Sequence, residues 1–309
     1  QIYIKREDML PFSFGGNKVR FAQYFIEDME RQGCTGMIIY GNYHSNLCRI
    51  LAAACHRKGI PCNMVHNVDD VDASVISNNS YLIKAMKVKE FVCKKSGIAN
   101  AVQAAEDDLR QRGYRPYYIY GNHYGQGNEW VPMQAYVDVY QEICSFEEKE
   151  NLYFDYIFLA SSTNMTQSGL LAGQLLKQDK RQIIGISVSR NELRAREVIA
   201  DNLRIYGFKK KLPMPLNIET GIKITDEYLD GGYGSYQEGI RNVIREVYEN
   251  DGLNLDGIYT GKAYYGMQQY LKKHSIHGKK VLFIHTGGAP LFFDELPELY
   301  PDSMKKIEG

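Results

Sequence analysis

Short apolar runs alternate along the chain with segments of helical periodicity, and this alternation restricts the fold more than any other feature. Runs such as "GMIIY" and "YIFLAS" are apolar throughout rather than alternating with polar residues. Strands of this kind are buried on both faces, as in parallel sheets covered by helices. The pattern therefore predicts an α/β fold.

The length of the chain and its lack of a linker suggest how the fold is divided. The 309 residues are enough for about two domains, yet no Pro/Gly-rich stretch separates two halves. We expect a smaller α/β lobe formed by residues 36–146. It would be inserted into a larger lobe formed by residues 1–35 and 147–309. A long helix is predicted from about residue 129 to residue 150.

Composition excludes several classes of protein. The 37 Lys and Arg residues balance the 37 Asp and Glu residues, so no global charge attracts nucleic acid or an anionic membrane. No apolar run is long enough to span a membrane, and the opening "QIYIKRED" is not a signal peptide. The first residue is not methionine, and we expect a missing or processed upstream segment.

The six cysteines have no CxxC spacing and lie mostly in apolar patterns. This usage favours reduced thiols in a cytoplasmic protein. His44, Cys48, Cys55 and nearby His and Cys residues fit no standard zinc spacing. We therefore expect no metal site.

Four polar loops follow predicted strands: Tyr40–Asn46, Tyr120–Asn128, Ala160–Gly169 and His285–Pro290. In open parallel sheets, ligands bind at the carboxyl ends of the strands. None of these loops is a GxGxxG turn or a GxxxxGK[ST] loop, so a nicotinamide enzyme and a P-loop enzyme both lack their main signal.

Four segments together suggest one cofactor. "PFSFGGNK" places Lys18 directly behind a flexible turn, and Ala160–Gly169 offers small hydroxyl residues at a helix start. Ser45 and Asn46 begin another helix, and a Thr-Gly-Gly loop follows the last predicted strand. Each segment has an ordinary explanation as a turn or a helix cap. In combination they fit pyridoxal 5′-phosphate (PLP), which needs a lysine amine for a Schiff base and a phosphate site at a helix N-terminus.

The order of the motifs gives a specific resemblance. "IKRED…FGGNKVR", "GNYHSNLCR", "STNMTQSGLLAG", "YTGKAYYGM" and "HTGGAPLFF" resemble the D-cysteine desulfhydrase and 1-aminocyclopropane-1-carboxylate (ACC) deaminase family over essentially the whole chain. That family belongs to the fold type II PLP enzymes, which are similar to the tryptophan synthase β-subunit. The resemblance implies two open, twisted, mostly parallel sheets flanked by helices, with the cofactor between two lobes. It also implies an amino-acid substrate and a homodimer.

The resemblance also implies roles for individual residues. Lys18 would carry the cofactor, while Ser45 and Tyr233 would be catalytic beside the substrate. The expected cofactor contacts are Lys18, Asn46, Thr163, Asn164, Met165, Thr166, Tyr259, Thr260 and Thr286. The expected substrate contacts are His44, Ser45, Tyr233, Thr286 and Gly287.

Departures from the family pattern bear on the substrate. His44 replaces a glutamine, and Asn164-Met165 replaces glycine-serine, which reduces the expected backbone freedom. Thr260 and Thr286 stand where the deaminase branch has glutamate and leucine, which resembles the desulfhydrase branch. A threonine at position 260 is expected to hydrogen-bond a neutral ring nitrogen.

The resulting functional expectation is a lyase that performs α,β-elimination on a D-cysteine-like amino acid, giving a 2-oxo acid, ammonia and sulfide. ACC deamination, β-replacement and racemisation are the alternatives. A PLP-binding homologue without catalytic activity is also possible from the motifs alone.

Overall fold

The computed structural model describes residues 1–69, 76–229, 231–232 and 234–301. The strands in these residues are β1 Ile2–Arg6, β2 Gly36–Gly41, β3 Cys62–Asn67, β4 Lys89–Cys93, β5 Pro116–Tyr118, β6 Tyr156–Ser161, β7 Gln182–Ser187, β8 Lys223–Thr225 and β9 Val281–His285. The α-helices are α1 Lys18–Arg31, α2 Asn46–Lys58, α3 Asn78–Ala85, α4 Ile98–Gln111, α5 Trp130–Glu150, α6 Met165–Lys177, α7 Glu192–Lys210, α8 Glu238–Asp251, α9 Thr260–Lys273 and α10 Ala289–Leu299.

The strands form two parallel sheets, which confirms the predicted α/β fold. The larger sheet has the order β1-β9-β6-β7-β8, and the smaller sheet has the order β4-β3-β2-β5. Every pairing between these strands is parallel. Central side chains such as Ile38, Ile157 and Phe283 are fully buried, because helices cover both faces.

The order of strands creates one switch point in each sheet. In the larger sheet, β7 and β8 lie on one side of β6 while β9 lies on the other. In the smaller sheet, β3 and β4 lie on one side of β2 while β5 lies on the other. A crevice opens at the carboxyl ends of strands at such a point. The four polar loops singled out in the sequence follow the strands β2, β5, β6 and β9.

The predicted long helix is present as α5, but the predicted lobe boundary at residues 146/147 falls inside it. Helix α5 packs along α6, the helix that follows strand β6 of the larger sheet. The four strands of the smaller sheet all lie within residues 36–146. The division of the chain into two lobes stays a prediction.

Two elements were not predicted from the sequence. Strand β8 has three residues, too few for a periodic pattern. Helix α10 begins directly after Gly288 and contains Pro297 in its interior, so its sequence resembles a loop more than a helix.

Two glycines let α6 approach α5 closely. A Cβ atom on Gly169 would lie 2.5 Å from the carbonyl oxygen of Met133, and one on Gly173 would lie 2.5 Å from the Cβ of Tyr140. No side chain fits at either separation. This contact fixes the position of α6, and therefore of the polar loop from which α6 begins.

We predict that Gly173→Ala destabilises the protein by about 1–3 kcal/mol, because the added methyl group forces α5 and α6 apart. Denaturant unfolding followed by circular dichroism measures the change. Gly239→Ala in α8 is the matched control, since its Cβ would meet Tyr265 only at 3.4 Å. That variant should be neutral or stabilised by up to about 1 kcal/mol. Equal effects of the two substitutions would contradict the packing argument.

Candidate active site

The turn in front of Lys18 has an unusual backbone. Ser13, Phe14, Gly15 and Gly16 have φ angles of 45°, 61°, 65° and 106°, a run of four left-handed residues. A Cβ on Gly15 would lie 1.8 Å from the carbonyl oxygen of Asp8, so only glycine fits there. The glycines therefore have a structural reason beyond flexibility.

This turn is bonded to two loops of the larger sheet. The backbone N–H of Asn17 donates to the carbonyl oxygen of Thr286 at 3.0 Å. Its side-chain amide donates to Thr166 Oγ1, also at 3.0 Å. A Cβ on Gly287 would lie 2.5 Å from the Cα of Gly16. The structure thus brings the Lys18 turn together with Thr166, Thr286 and Gly287.

Lys18 is the first residue of α1, and its amine is chemically available. The Nζ atom lies 4.4 Å from the centre of the Phe21 ring. Within the described part of the chain, no hydrogen bond or ion pair is made by the Lys18 side chain. Burial lowers the pKa of Lys18 to about 8. A larger share of neutral, nucleophilic amine is therefore present near neutral pH than for an ordinary lysine.

The start of α6 has the form expected of an anion site. No side chain caps this helix, so its first backbone N–H groups are directed at a position outside the helix, where the helix dipole favours negative charge. Thr163 is exposed, Met165 is partly exposed, and Asn164 and Thr166 are buried. Of the expected phosphate contacts, all four lie at this helix start.

Asn164 explains how the loop turns without the family's glycine. Its φ angle is 68°, and asparagine is among the few residues that adopt this left-handed conformation readily. The side-chain Nδ2 donates to Ser161 Oγ at 2.9 Å and holds that conformation. The loss of backbone freedom expected from the sequence is therefore compensated locally.

Arg190 is a cation at this loop that the sequence motifs did not indicate. Its guanidinium donates to the carbonyl oxygen of Ser162 and lies 3.4 Å from Asn164 Oδ1. Burial, and then the neighbouring Arg194, lower the pKa of Arg190. Its position just after β7 at the carboxyl edge of the sheet was the available signal. A positive charge here favours an anion at the start of α6.

The start of α2 carries the second group of predicted residues. Ser45 is its N-cap, and Ser45 Oγ accepts a hydrogen bond from the backbone N–H of Cys48 at 3.2 Å. His44 is half-buried, and burial lowers the pKa of its imidazole. Asn46 is bonded through its Oδ1 to Arg49 and Asn79. The capping role of Ser45 is thus present, and its hydroxyl proton is not used by that cap.

The start of α9 places Thr260 on a buried carboxylate. Thr260 Oγ1 donates to Asp256 Oδ2 at 2.7 Å and accepts from the Asp256 N–H at 2.8 Å. Tyr259 donates its N–H to Asp256 Oδ1. Burial raises the pKa of Asp256 to about 6. The hydroxyl proton of Thr260 is therefore committed to Asp256, and a lone pair, not the expected donor, remains for another partner.

The same carboxylate connects α9 to the closing Gly-Gly loop. A Cβ on Gly288 would lie 2.2 Å from Asp256 Oδ2, so the loop that carries Thr286 lies directly against Asp256. The predicted catalytic residue Tyr233 lies outside the described residues. Lys262, in the first turn of α9, donates to the carbonyl oxygens of Leu229 and Gly232.

These features fit PLP. The Lys18 amine makes no competing bond to a described residue, and the start of α6 is uncapped beside Arg190. Glycines also let the Lys18 turn and Asp256 approach the Gly-Gly loop after β9. The sequence matches the family described as "Pyridoxal-phosphate dependent enzyme" over residues 1–287. The chain belongs to this family. PLP is therefore its cofactor, and the resemblance drawn from the motifs is confirmed.

Individual relatives cover nearly the whole chain. A D-cysteine desulfhydrase of Yersinia pestis is 30% identical over 97% of this chain and 90% of its own. A Pyrococcus abyssi protein provisionally named 1-aminocyclopropane-1-carboxylate deaminase is 29% identical over 96% of this chain and 88% of its own. The crystal structure of an ACC deaminase homologue superposes with a TM-score of 0.82 at 26% identity, covering 97% and 88% of the two chains.

Two further observations concern only the described residues. None of their helices combines the length and apolar character needed to cross a membrane. They also hold no group of three or more His, Cys, Asp or Glu side chains arranged to bind a metal ion.

We predict that cofactor-free protein attaches PLP at Lys18 with a rate that rises with pH around a midpoint of about 8, because only the neutral amine reacts. Growth of the visible absorbance band measures the rate, and borohydride trapping with peptide mapping identifies the lysine. Lys18→Arg keeps the charge but cannot attach the cofactor. A midpoint near the ordinary lysine value of about 10.4, or a label on another lysine, would contradict this prediction.

Proposed function

We propose that the chain catalyses α,β-elimination from a small D-cysteine-like amino acid. The relatives named D-cysteine desulfhydrase support this reaction. Within the chain, the observation that carries it is an uncharged threonine, Thr260, at the start of α9. ACC deamination is the second candidate, supported by the relatives and the structure of that name.

Each residue of the proposed site has a separate role in this reaction. When bound, PLP supplies an electron sink that makes loss of the Cα proton of an amino acid feasible. Lys18 holds the cofactor, and the N–H groups of Thr163 to Thr166 hold its phosphate. After substrate displaces it, Lys18 takes the Cα proton, for which its lowered pKa is suited.

The elimination needs no reactant other than the amino acid and water. The Cα–H bond breaks with the proton on a protein group, and the Cβ–S bond breaks with its electron pair leaving on sulfur as sulfide. The released unsaturated amine takes up water and gives a 2-oxo acid and ammonia. His44, Ser45, Thr286 and Gly287 contact the substrate in this proposal, and Tyr233 reaches it from its own loop.

Thr260 separates the two candidate reactions by electrostatics. A glutamate at this position would pair with a protonated ring nitrogen and strengthen the electron sink. Thr260 can only accept a further hydrogen bond, because its proton is bonded to Asp256. It therefore makes no hydrogen bond to an unprotonated ring nitrogen, and it carries no negative charge of its own to keep that nitrogen protonated. A weaker sink suffices to expel a thiolate, whereas opening a cyclopropane ring is harder.

β-Replacement and racemisation use the same residues in this proposal, and the substrate test below distinguishes racemisation from elimination. We also propose that the enzyme works in the cytoplasm as a homodimer. All six cysteines are free thiols, which supports a reducing compartment.

The substrate assignment is tested with a panel of D-cysteine, β-chloro-D-alanine, their L-isomers and ACC. We expect 2-oxo acid from the D-amino acids, with sulfide released from D-cysteine. The Lys18→Arg protein gives the background rate. Turnover of ACC alone would reverse the assignment, and an inverted substrate without 2-oxo acid would indicate racemisation.

Replacing Ser45 tests whether this helix-cap residue is also catalytic. Ser45→Ala should lower stability by about 1 kcal/mol through loss of the cap and lower kcat by about 10²- to 10⁴-fold through loss of proton transfer. Asn191→Ala is the control, because Asn191 caps α7 in the same way and its exposed side chain has no proposed contact with cofactor or substrate. Similar kcat values for both variants would leave Ser45 only a capping role.

A further inference from the structure

Arg49, in the second turn of α2, is a buried cation without a counter-charge. Its side chain is 1% exposed. The guanidinium donates to Asn79 Oδ1 at 2.8 Å, to Ser13 Oγ at 3.0 Å and to Asn46 Oδ1 at 3.3 Å. All three acceptors are neutral, and no carboxylate of the described residues pairs with Arg49.

This arrangement is unusual for a buried charge. Arg181 is similarly buried, but it makes a bidentate pair with Glu147 and a further bond to Asp179. Buried charges are normally paired in this way because the low dielectric penalises an isolated ion. Burial accordingly lowers the pKa of Arg49 to about 10. A retained, unpaired cation indicates that an anion completes the site in the working protein.

The bonds of Arg49 join two parts of the proposed cofactor site. Ser13 begins the left-handed run that leads to Lys18, and the Phe14 ring centre lies 5.9 Å from the guanidinium carbon. Ser13 and Phe14 are not glycines, so their positive φ angles need support from their surroundings. Arg49 connects this turn to the start of α2.

Arg49 also fixes the direction of the Asn46 amide. Asn46 Oδ1 accepts from Arg49 and, at 3.1 Å, from Asn79 Nδ2. With its oxygen engaged there, the partly exposed Asn46 presents its NH₂ group in the opposite direction. An amide fixed in this way acts as a donor to an electron-rich atom of a ligand.

We infer that Arg49 is a positioning residue for PLP: it fixes the Asn46 donor and the Lys18 turn, and its unpaired charge is matched by the anionic cofactor. This inference rests on the roles proposed above for Lys18 and Asn46. Because Arg49 is itself covered, it acts through these two segments and through space, without touching substrate.

The test compares Arg49→Met, Arg49→Lys and Ser13→Ala with the wild type. Lys58→Met removes an exposed cation from the same helix and is the charge-matched control. Two readouts other than turnover are used: the dissociation constant of PLP from the protein, and the pH midpoint at which the visible absorbance of the lysine-bound cofactor changes.

We expect Arg49→Met to bind PLP about ten- to hundredfold more weakly. Its absorbance midpoint should move to higher pH, because a nearby cation disfavours the protonated form of the bound lysine nitrogen. Arg49→Lys should keep the midpoint while losing affinity, and Ser13→Ala should lose less affinity than Arg49→Met. Lys58→Met should match the wild type.

The outcomes separate this inference from the proposed function. Wild-type protein that fails to attach PLP at Lys18 would defeat the proposed role of Lys18. If the wild type binds PLP and Arg49→Met shows the same affinity and the same absorbance midpoint, only the role of Arg49 is overturned. If Arg49→Met does not fold, Arg49→Lys and Ser13→Ala decide: affinity equal to that of the wild type in both would also overturn it.

Discussion

Two hydrogen bonds from Asn17 hold the turn before Lys18 against both sides of the switch point in the larger sheet. One bond reaches Thr286 after β9 and the other reaches Thr166 at the start of α6, which follows β6. Because β6 and β9 are the strands between which the chain order reverses, these bonds place Lys18 at the crevice. Its partial burial, its lowered pKa and its proximity to the α6 N-terminus all follow from that attachment.

Buried charged side chains are paired at the amino ends of the strands but lack charged partners at the carboxyl ends. At the amino edge of the larger sheet, Arg181 is fully paired with Glu147 and Asp179, so that network can only be structural. At the carboxyl ends of the strands, the buried Arg49 and the partly buried Lys18 have no carboxylate partner from the described residues. Asp256 is surrounded there by N–H and O–H donors instead of cations. Incomplete pairing at one edge is the physical mark of a site that binds charged ligands.

Much of the fold was predictable because a strand buried on both faces has a continuous apolar run, as in β2, β6 and β9. Position on a strand exit also identified the four loops. The elements that the sequence did not predict are β8, which has only three residues, and α10, which contains a proline in its interior. Arg49, Arg190 and Asn17 were missed as site residues for another reason. Their importance comes from partners far away in sequence, such as Ser13 for Arg49, and local patterns carry no record of those contacts.

The geometry at Thr260 changes the argument about the ring nitrogen. A threonine at position 260 predicted a hydroxyl that donates to a neutral ring nitrogen. Asp256 accepts that hydroxyl proton, so only an acceptor is left on Thr260. In the proposed site, the negative charge lies one hydrogen bond behind Thr260 instead of directly at the cofactor. It is carried by a carboxylate whose pKa burial raises to about 6. In the proposed reaction, the electron sink is weaker than it would be with a glutamate, and its strength depends on the ionisation of Asp256. In the proposed reaction, Asp256 therefore shares with Thr260 the control over the strength of the electron sink.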